Sequence, residues 1–166
     1  MEAYIGIDLG KISVVAICPA GADKAHREIL TIGCSGADYE RMLAWIKERG
    51  VSDPIFVFEP SGPLWTVPYA WLLHKQQKVC LVRSTGPKHF AKQRNKRTKK
   101  NRVDARTIAE YGASEGLKPD AKKLESFETT QAARYLGSLI EDSVRFKLRL
   151  IQLLSMVFPE LSTVFK

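Results

Sequence analysis

The first part of the chain carries short apolar runs separated by turn residues, which is the pattern of successive β-strands. Three such runs, over 4–10, 13–20 and 27–34, follow one another directly and predict an antiparallel meander. The period then becomes helical over 35–50, where Tyr39, Met42, Leu43 and Ile46 share one face ahead of a terminal glycine. The chain is therefore predicted to begin with three strands and an amphipathic helix.

Strand and helix patterns alternate in the next part of the chain. The continuous apolar run over 54–60 predicts a buried central strand, and the run over 78–84 predicts a fifth strand. Helical patterns cover 64–77 and 101–116. The predicted order, β-β-β-α-β-α-β-α, is that of an α/β fold with a ribonuclease H-like mixed sheet, although other mixed sheets share parts of it.

From about residue 124 the sequence predicts one long helix. Its apolar residues recur in alternating steps of three and four, which is a heptad repeat, and a second apolar row widens the same face. We expect this coiled-coil helix to form a homodimer or higher homo-oligomer; folding back onto its own domain is the alternative. We therefore divide the chain into a domain over 1–116 and a linker with a self-association helix over 117–166. The residues assigned to self-association are Leu136, Leu139, Phe146, Leu150, Leu153 and Val157.

The positive charge of the chain is concentrated in one segment. The net charge is +8, and residues 88–106 alone hold nine Lys or Arg against one acid, so basic and acidic residues balance elsewhere. Such concentration predicts a surface that binds nucleic acid, whereas the alternative is a solvated charge run. With few apolar residues, 88–100 is expected to lack stable structure until nucleic acid binds. The predicted contacts are Lys88, Lys92, Arg94, Lys96, Arg97, Lys99, Lys100, Arg102 and Arg106.

Three acids stand at the ends of predicted elements: Asp8 after the first strand, Glu59 after the central strand, and Asp104 in the first turn of the helix over 101–116. In a ribonuclease H-like sheet the first and fourth strands are neighbours, so these carboxylates would converge. Convergent carboxylates repel one another unless a hard cation lies among them, which predicts a Mg²⁺ or Mn²⁺ site for phosphodiester cleavage. Taken singly, each acid has an ordinary alternative: a turn cap, an ion pair with lysine, or a favourable charge at a helix N-terminus.

Asn101 lies three residues before Asp104, on the same helix face. Its amide oxygen can serve as a neutral metal ligand, or the residue can be the helix N-cap. The sequence pattern leaves both roles open.

Four motifs in order carry a family resemblance: "YIGIDLGK", "FEPSGPLW", "RTKKNRVDARTIAEYG" and "LLSMVFPEL". Together they resemble the N-terminal part of the DEDD transposases, insertion-sequence recombinases related to the Piv DNA invertase, some of which use a guide RNA. The resemblance implies a RuvC-like domain with catalytic metal ligands at Asp8, Glu59, Asn101 and Asp104. The family usually has aspartate where this chain has Asn101, so the resemblance implies weaker binding of a second metal ion.

The resemblance also implies a partner set and a location. It implies DNA and a structured guide RNA as partners, and a place in the bacterial or archaeal cytoplasm, associated with the nucleoid. No apolar run approaches the length of a membrane span, so no membrane partner is expected. In the family a serine-bearing domain follows the coiled coil; it is absent from these 166 residues, so the chain alone is expected to bind without completing strand exchange.

Three other functions fit parts of the sequence. "GIDLGKISVVA" resembles the first phosphate loop of actin-like ATPases, but no second Asp-x-Gly phosphate motif follows. A non-catalytic nucleic-acid-binding relic or regulator is favoured by Asn101, and a stand-alone RuvC-like nuclease would use the same acids. Metal-dependent cleavage of DNA distinguishes these functions.

Overall fold

The computed structural model describes residues 1–60, 64–94, 101–119 and 124–160. The chain divides into two compact units, Met1–Leu124 and Glu125–Lys166.

The first unit is built on a five-stranded mixed sheet with the strand order β3-β2-β1-β4-β5. β1 is central: it pairs antiparallel with β2 and parallel with β4, and β5 continues the parallel side. The apolar runs explain this arrangement, because the middle strands are buried along nearly their whole length. The strands are β1 (Glu2–Asp8), β2 (Ser13–Pro19), β3 (Ile29–Ile32), β4 (Asp53–Phe58) and β5 (Lys78–Leu81).

Five helices complete the described structure. The first begins at a capping box in which Ser35 and Asp38 each satisfy the other's backbone N–H. The same helix buries Tyr39, Met42 and Ile46, as its period predicts. The helices are α1 (Gly36–Glu48), α2 (Thr66–His74), α3 (Thr85–Gln93), α4 (Asn101–Glu115) and α5 (Leu124–Val157).

One helix was not predicted from the sequence. α3 occupies the start of the basic segment, so the prediction that 88–100 lacks stable structure is wrong for residues 88–93. The helix forms because Phe90 is buried and its ring meets that of Tyr111 in α4 edge-on, with centroids 5.8 Å apart. Residues 95–100 lie outside the described residues.

α4 lies unusually close to β1 because the facing residues are small. A methyl group on Gly6 would overlap the carbonyl oxygen of Ala105 and lie 2.9 Å from Cβ of Ala109. Two turns after Ala105 in α4, a methyl group on Gly112 would lie 2.9 Å from the ring of Tyr4. The distance between α4 and the central strand is therefore set by residues without bulky side chains.

The second unit consists of α5, whose start agrees with the sequence prediction. Its side chains from Tyr135 onward are exposed, including Leu136, Leu150 and Val157. Among the described residues, no helix combines the length and the apolar character needed to cross a bilayer. The unit thus presents a long apolar face.

The close packing of α4 on β1 makes Gly6→Ala a test of the fold. We expect the free energy of unfolding to fall by about 2 kcal/mol or more, since backbone atoms must move to admit the methyl group. Urea denaturation followed by circular dichroism measures the change. Gly137→Ala is the control, because nothing lies within 4 Å of a methyl group there and alanine favours a helix. Equal stabilities of the two variants would contradict the packing argument.

Candidate active-site cleft

Strand register places two of the predicted acids side by side. β1 and β4 run parallel, and Ile7 pairs with Phe58 at the ends of both strands. Asp8 is the last residue of β1 and Glu59 is the first residue after β4, so both stand at the carboxyl ends of these neighbouring strands. Neighbouring parallel strands therefore bring together two acids that are 51 positions apart in sequence.

The third acid reaches this edge from α4. Asp104 directly precedes Ala105, whose backbone packs against Gly6. Gly6 lies in β1, two positions before Asp8. All three acids line one cleft of about 250 Å³. The cleft is lined by Ile7, Asp8, Leu9, Glu59, Pro87, Lys88, Ala91, Asp104, Thr107 and Ile108.

The acids in the cleft influence one another electrostatically. Burial, together with the negative charges of Asp104 and Glu59, raises the pKa of Asp8 to about 6. A carboxyl group that resists ionisation in this way would be stabilised as an anion by a cation in the cleft. Carboxylate oxygens are the donors that hard divalent ions prefer.

The acids share the cleft without forming a closed ligand set. Within the described part of the chain, no group of three or more His, Cys, Asp or Glu side chains forms a ready metal-binding cluster. Like charges with no cation between them are expected to stand apart. Asn101 is the first residue of α4, and its side chain lies outside the described residues.

The predicted nucleic-acid contacts are not equivalent in the structure. Lys88 lines the cleft, and Lys92 is exposed one turn further along α3. Arg94 and Arg106 instead contact the β2–β3 connection, where they donate hydrogen bonds to the backbone carbonyls of Asp23 and Arg27. Lys96, Arg97, Lys99 and Lys100 lie outside the described residues, as does the side chain of Arg102.

Two residues near the site carried no recognised signal in the sequence. Thr107 lines the cleft with only 4% of its surface exposed, and its hydroxyl has no hydrogen-bond partner among the described residues. Glu110 is buried, accepts a hydrogen bond of 3.1 Å from the backbone N–H of Ala25, and lies 3.9 Å from Arg94. The sequence signal that could have identified them is their position in the same helix as Asp104: Thr107 follows it by three residues and Glu110 by six.

A structural comparison identifies the fold. The chain is similar to RuvC of T. thermophilus in complex with a Holliday junction substrate, with a TM-score of 0.50 and 14% identity. The match covers 71% of this chain and 99% of that chain. The RuvC-like, ribonuclease H-like fold predicted from the element order is therefore confirmed.

Sequence comparison identifies the family. The sequence model of the IS110-type DEDD family, described as "Transposase", matches residues 5–159. The chain therefore belongs to this transposase family, and the resemblance found in the four motifs is confirmed. A search of curated proteins finds no match.

The raised pKa of Asp8 predicts a pH-dependent stability in the absence of metal. Asp8 loses its proton near pH 6 in the folded chain but near 3.8 when unfolded, so the folded state binds more protons between these values. The free energy of unfolding should therefore contain a contribution that falls as the pH rises from about 4 to about 6. Asp8→Asn should lack this contribution and be more stable than the natural sequence at pH 7.

Urea denaturation at a series of pH values, with chelator present, measures the difference. Glu141→Gln in α5 is the control, because it removes an exposed carboxylate far along the chain. If Asp8→Asn and the natural sequence have parallel stability profiles between pH 4 and 6, the pKa of Asp8 is not raised in the folded chain.

Proposed function

We propose that this chain is the RuvC-like part of a DNA transposase or recombinase that acts on phosphodiester bonds with a divalent metal. The observation that carries the proposal is the single cleft lined by Asp8, Glu59 and Asp104. Membership of a transposase family supports DNA as the substrate, and the RuvC structure with its Holliday junction supports a branched or duplex DNA.

Asp8, Glu59 and Asp104 would hold Mg²⁺ or Mn²⁺, together with Asn101, which precedes Asp104 by three residues in α4. Carboxylate and amide oxygens are the ligands these ions prefer. The bound ions supply Lewis acidity, which stabilises the attacking and leaving oxygens of a phosphodiester displacement. An amide at position 101 contributes no charge, so the site would hold a second ion less tightly than four carboxylates do.

The protein's own residues prepare the cleft for that chemistry. Burial, together with the charges of Asp104 and Glu59, raises the pKa of Asp8 to about 6, so below that pH a cation would have to displace a proton from its carboxyl group. The rigid sheet fixes Asp8 and Glu59, while the contact of Ala105 with Gly6 fixes Asp104. Both supports lie on regular elements, which hold a site more precisely than loops do.

The basic segment is proposed to hold the nucleic acid near this cleft. Residues 88–106 carry the whole net positive charge of the chain, and phosphate contacts supply most of the affinity of such surfaces. The family resemblance adds a structured guide RNA as a partner, which proteins recognise by shape and by backbone contacts.

The long helix is proposed to join two or more copies of the chain. In a single chain, the residues of the heptad row are exposed, Leu136, Leu150 and Leu153 each by more than half of their surface. Exposed apolar stripes of this length are rare on monomers and are typical of coiled-coil partners. A second copy of α5 presents the complementary row.

The metal site is tested by Asp104→Ala. We expect the affinity for Mn²⁺ to fall at least about tenfold, because a charged ligand is lost. Stability without metal should remain level or rise, since one like charge leaves the cleft. Isothermal calorimetry and urea denaturation measure the two effects.

Asp53→Ala is the matched control, because Asp53 stands at the opposite end of β4 from Glu59. Equal Mn²⁺ affinity in the natural sequence and in Asp104→Ala would show that the site is wrongly assigned. Asn101→Asp should tighten Mn²⁺ binding, and weaker binding would indicate that Asn101 is a helix cap.

Self-association is tested by Leu150→Asp, which places a charge in the apolar row. We expect this variant to be monomeric where the natural sequence forms dimers or larger assemblies, as measured by light scattering over a concentration series. Gln152→Asp adds the same charge on the opposite face of α5 and should leave the assembly intact. A monomeric natural sequence would remove the basis for this proposal.

A further inference from the structure

One basic side chain stands among the acids of the cleft. Lys88 lines the same cleft as Asp8, Glu59 and Asp104. Although three carboxylates line that wall, no ion pair joins Lys88 to any other described residue. Its ammonium group therefore forms no ion pair with the described carboxylates of the cleft.

The place of Lys88 is fixed by its neighbours in α3. Pro87 and Phe90 are buried on either side of it, and Phe90 packs against Tyr111 in α4. A methyl group on Gly86 would lie 2.6 Å from the hydroxyl of Tyr111, so the two helices touch closely here. These contacts hold the backbone of α3 against α4, and thereby place Lys88 at the cleft that Asp104 lines from α4.

The other described residues of the basic segment have different surroundings. Arg94 and Arg106 donate to backbone carbonyls of the β2–β3 connection, and Arg94 also stacks on Phe90 at 4.5 Å. Lys92 is exposed outside the cleft. Lys88 alone among these four both lines the cleft and lacks an ion pair or hydrogen bond within the described part of the chain.

We propose that Lys88 binds a non-bridging oxygen of the DNA phosphate at the carboxylate cleft and so links phosphate binding to metal binding. The inference rests on the proposed metal site. Without a cation, the three carboxylates would repel a phosphate, so DNA would contact basic residues outside the cleft, such as Lys92. With a cation, a phosphate could enter the cleft, where the ammonium group of Lys88 would supply a charge-assisted hydrogen bond.

Paired lysine substitutions test the inference. The affinity for a fluorescein-labelled DNA duplex is measured by anisotropy with chelator and with Mn²⁺, in the natural sequence, Lys88→Ala, Lys92→Ala and Asp8→Asn. Both lysine variants lose one charge from the same helix, so long-range electrostatics are matched. A denaturing gel confirms that the DNA remains uncut during the measurement.

We expect Lys88→Ala to lose about tenfold or more in affinity with Mn²⁺ but only a few-fold with chelator. Lys92→Ala should lose the same few-fold factor in both conditions. Lys88→Arg should recover most of the Mn²⁺-dependent affinity, because it restores the positive charge at this position.

The outcomes separate this inference from the proposed function. If Mn²⁺ strengthens DNA binding, Asp8→Asn abolishes that gain and the two lysine variants behave alike, the metal site stands and the role of Lys88 is overturned. If Mn²⁺ has no effect on the natural sequence, or Asp8→Asn retains the gain, the proposed metal site fails and the inference fails with it.

Discussion

The contact between α4 and the central strand is the constraint on which the rest of the first unit depends. Gly6 lets the backbone of Ala105 approach β1 directly. The same approach carries Asp104 to the sheet edge where Asp8 and Glu59 end their strands. Any larger residue at position 6 would separate the helix from the sheet, and would separate the third acid from the other two.

The close contact between α4 and β1 also brings like charges together, which is electrostatically unfavourable when no cation is bound. Burial, together with the negative charges of Asp104 and Glu59, holds the pKa of Asp8 near 6, which disfavours the ionised form of this carboxyl group. Such stored repulsion is typical of sites that bind a cation, because the ion relieves it. The net positive charge of the chain is concentrated in residues 88–106, and Lys88 of this segment lines the cleft together with the acids.

Part of that positive charge has a structural role. Arg94, Arg106 and the buried Glu110 tie the β2–β3 connection to α3 and α4 through hydrogen bonds and ion pairs. Glu110 is buried with the backbone N–H of Ala25 as a donor, so its carboxylate is not left unsatisfied. The basic segment therefore joins two functions: its arginines at 94 and 106 hold the fold together, and its lysines at 88 and 92 face outward or into the cleft.

The sequence by itself determined the strands, most of the helices and the position of the acids along them. The period of the apolar residues distinguishes strands from helices, and it places Asp8 and Glu59 at the ends of two predicted strands. Only the tertiary structure decided the rest. α3 is a helix because the ring of Phe90 packs against that of Tyr111. Lys88 lines the cleft whereas Arg94 donates to the backbone of the β2–β3 connection, and this difference comes from the surfaces that surround each residue. Periodicity reports which face of an element is apolar, but distances between elements arise from packing, and the local sequence of a charged segment does not specify its partners.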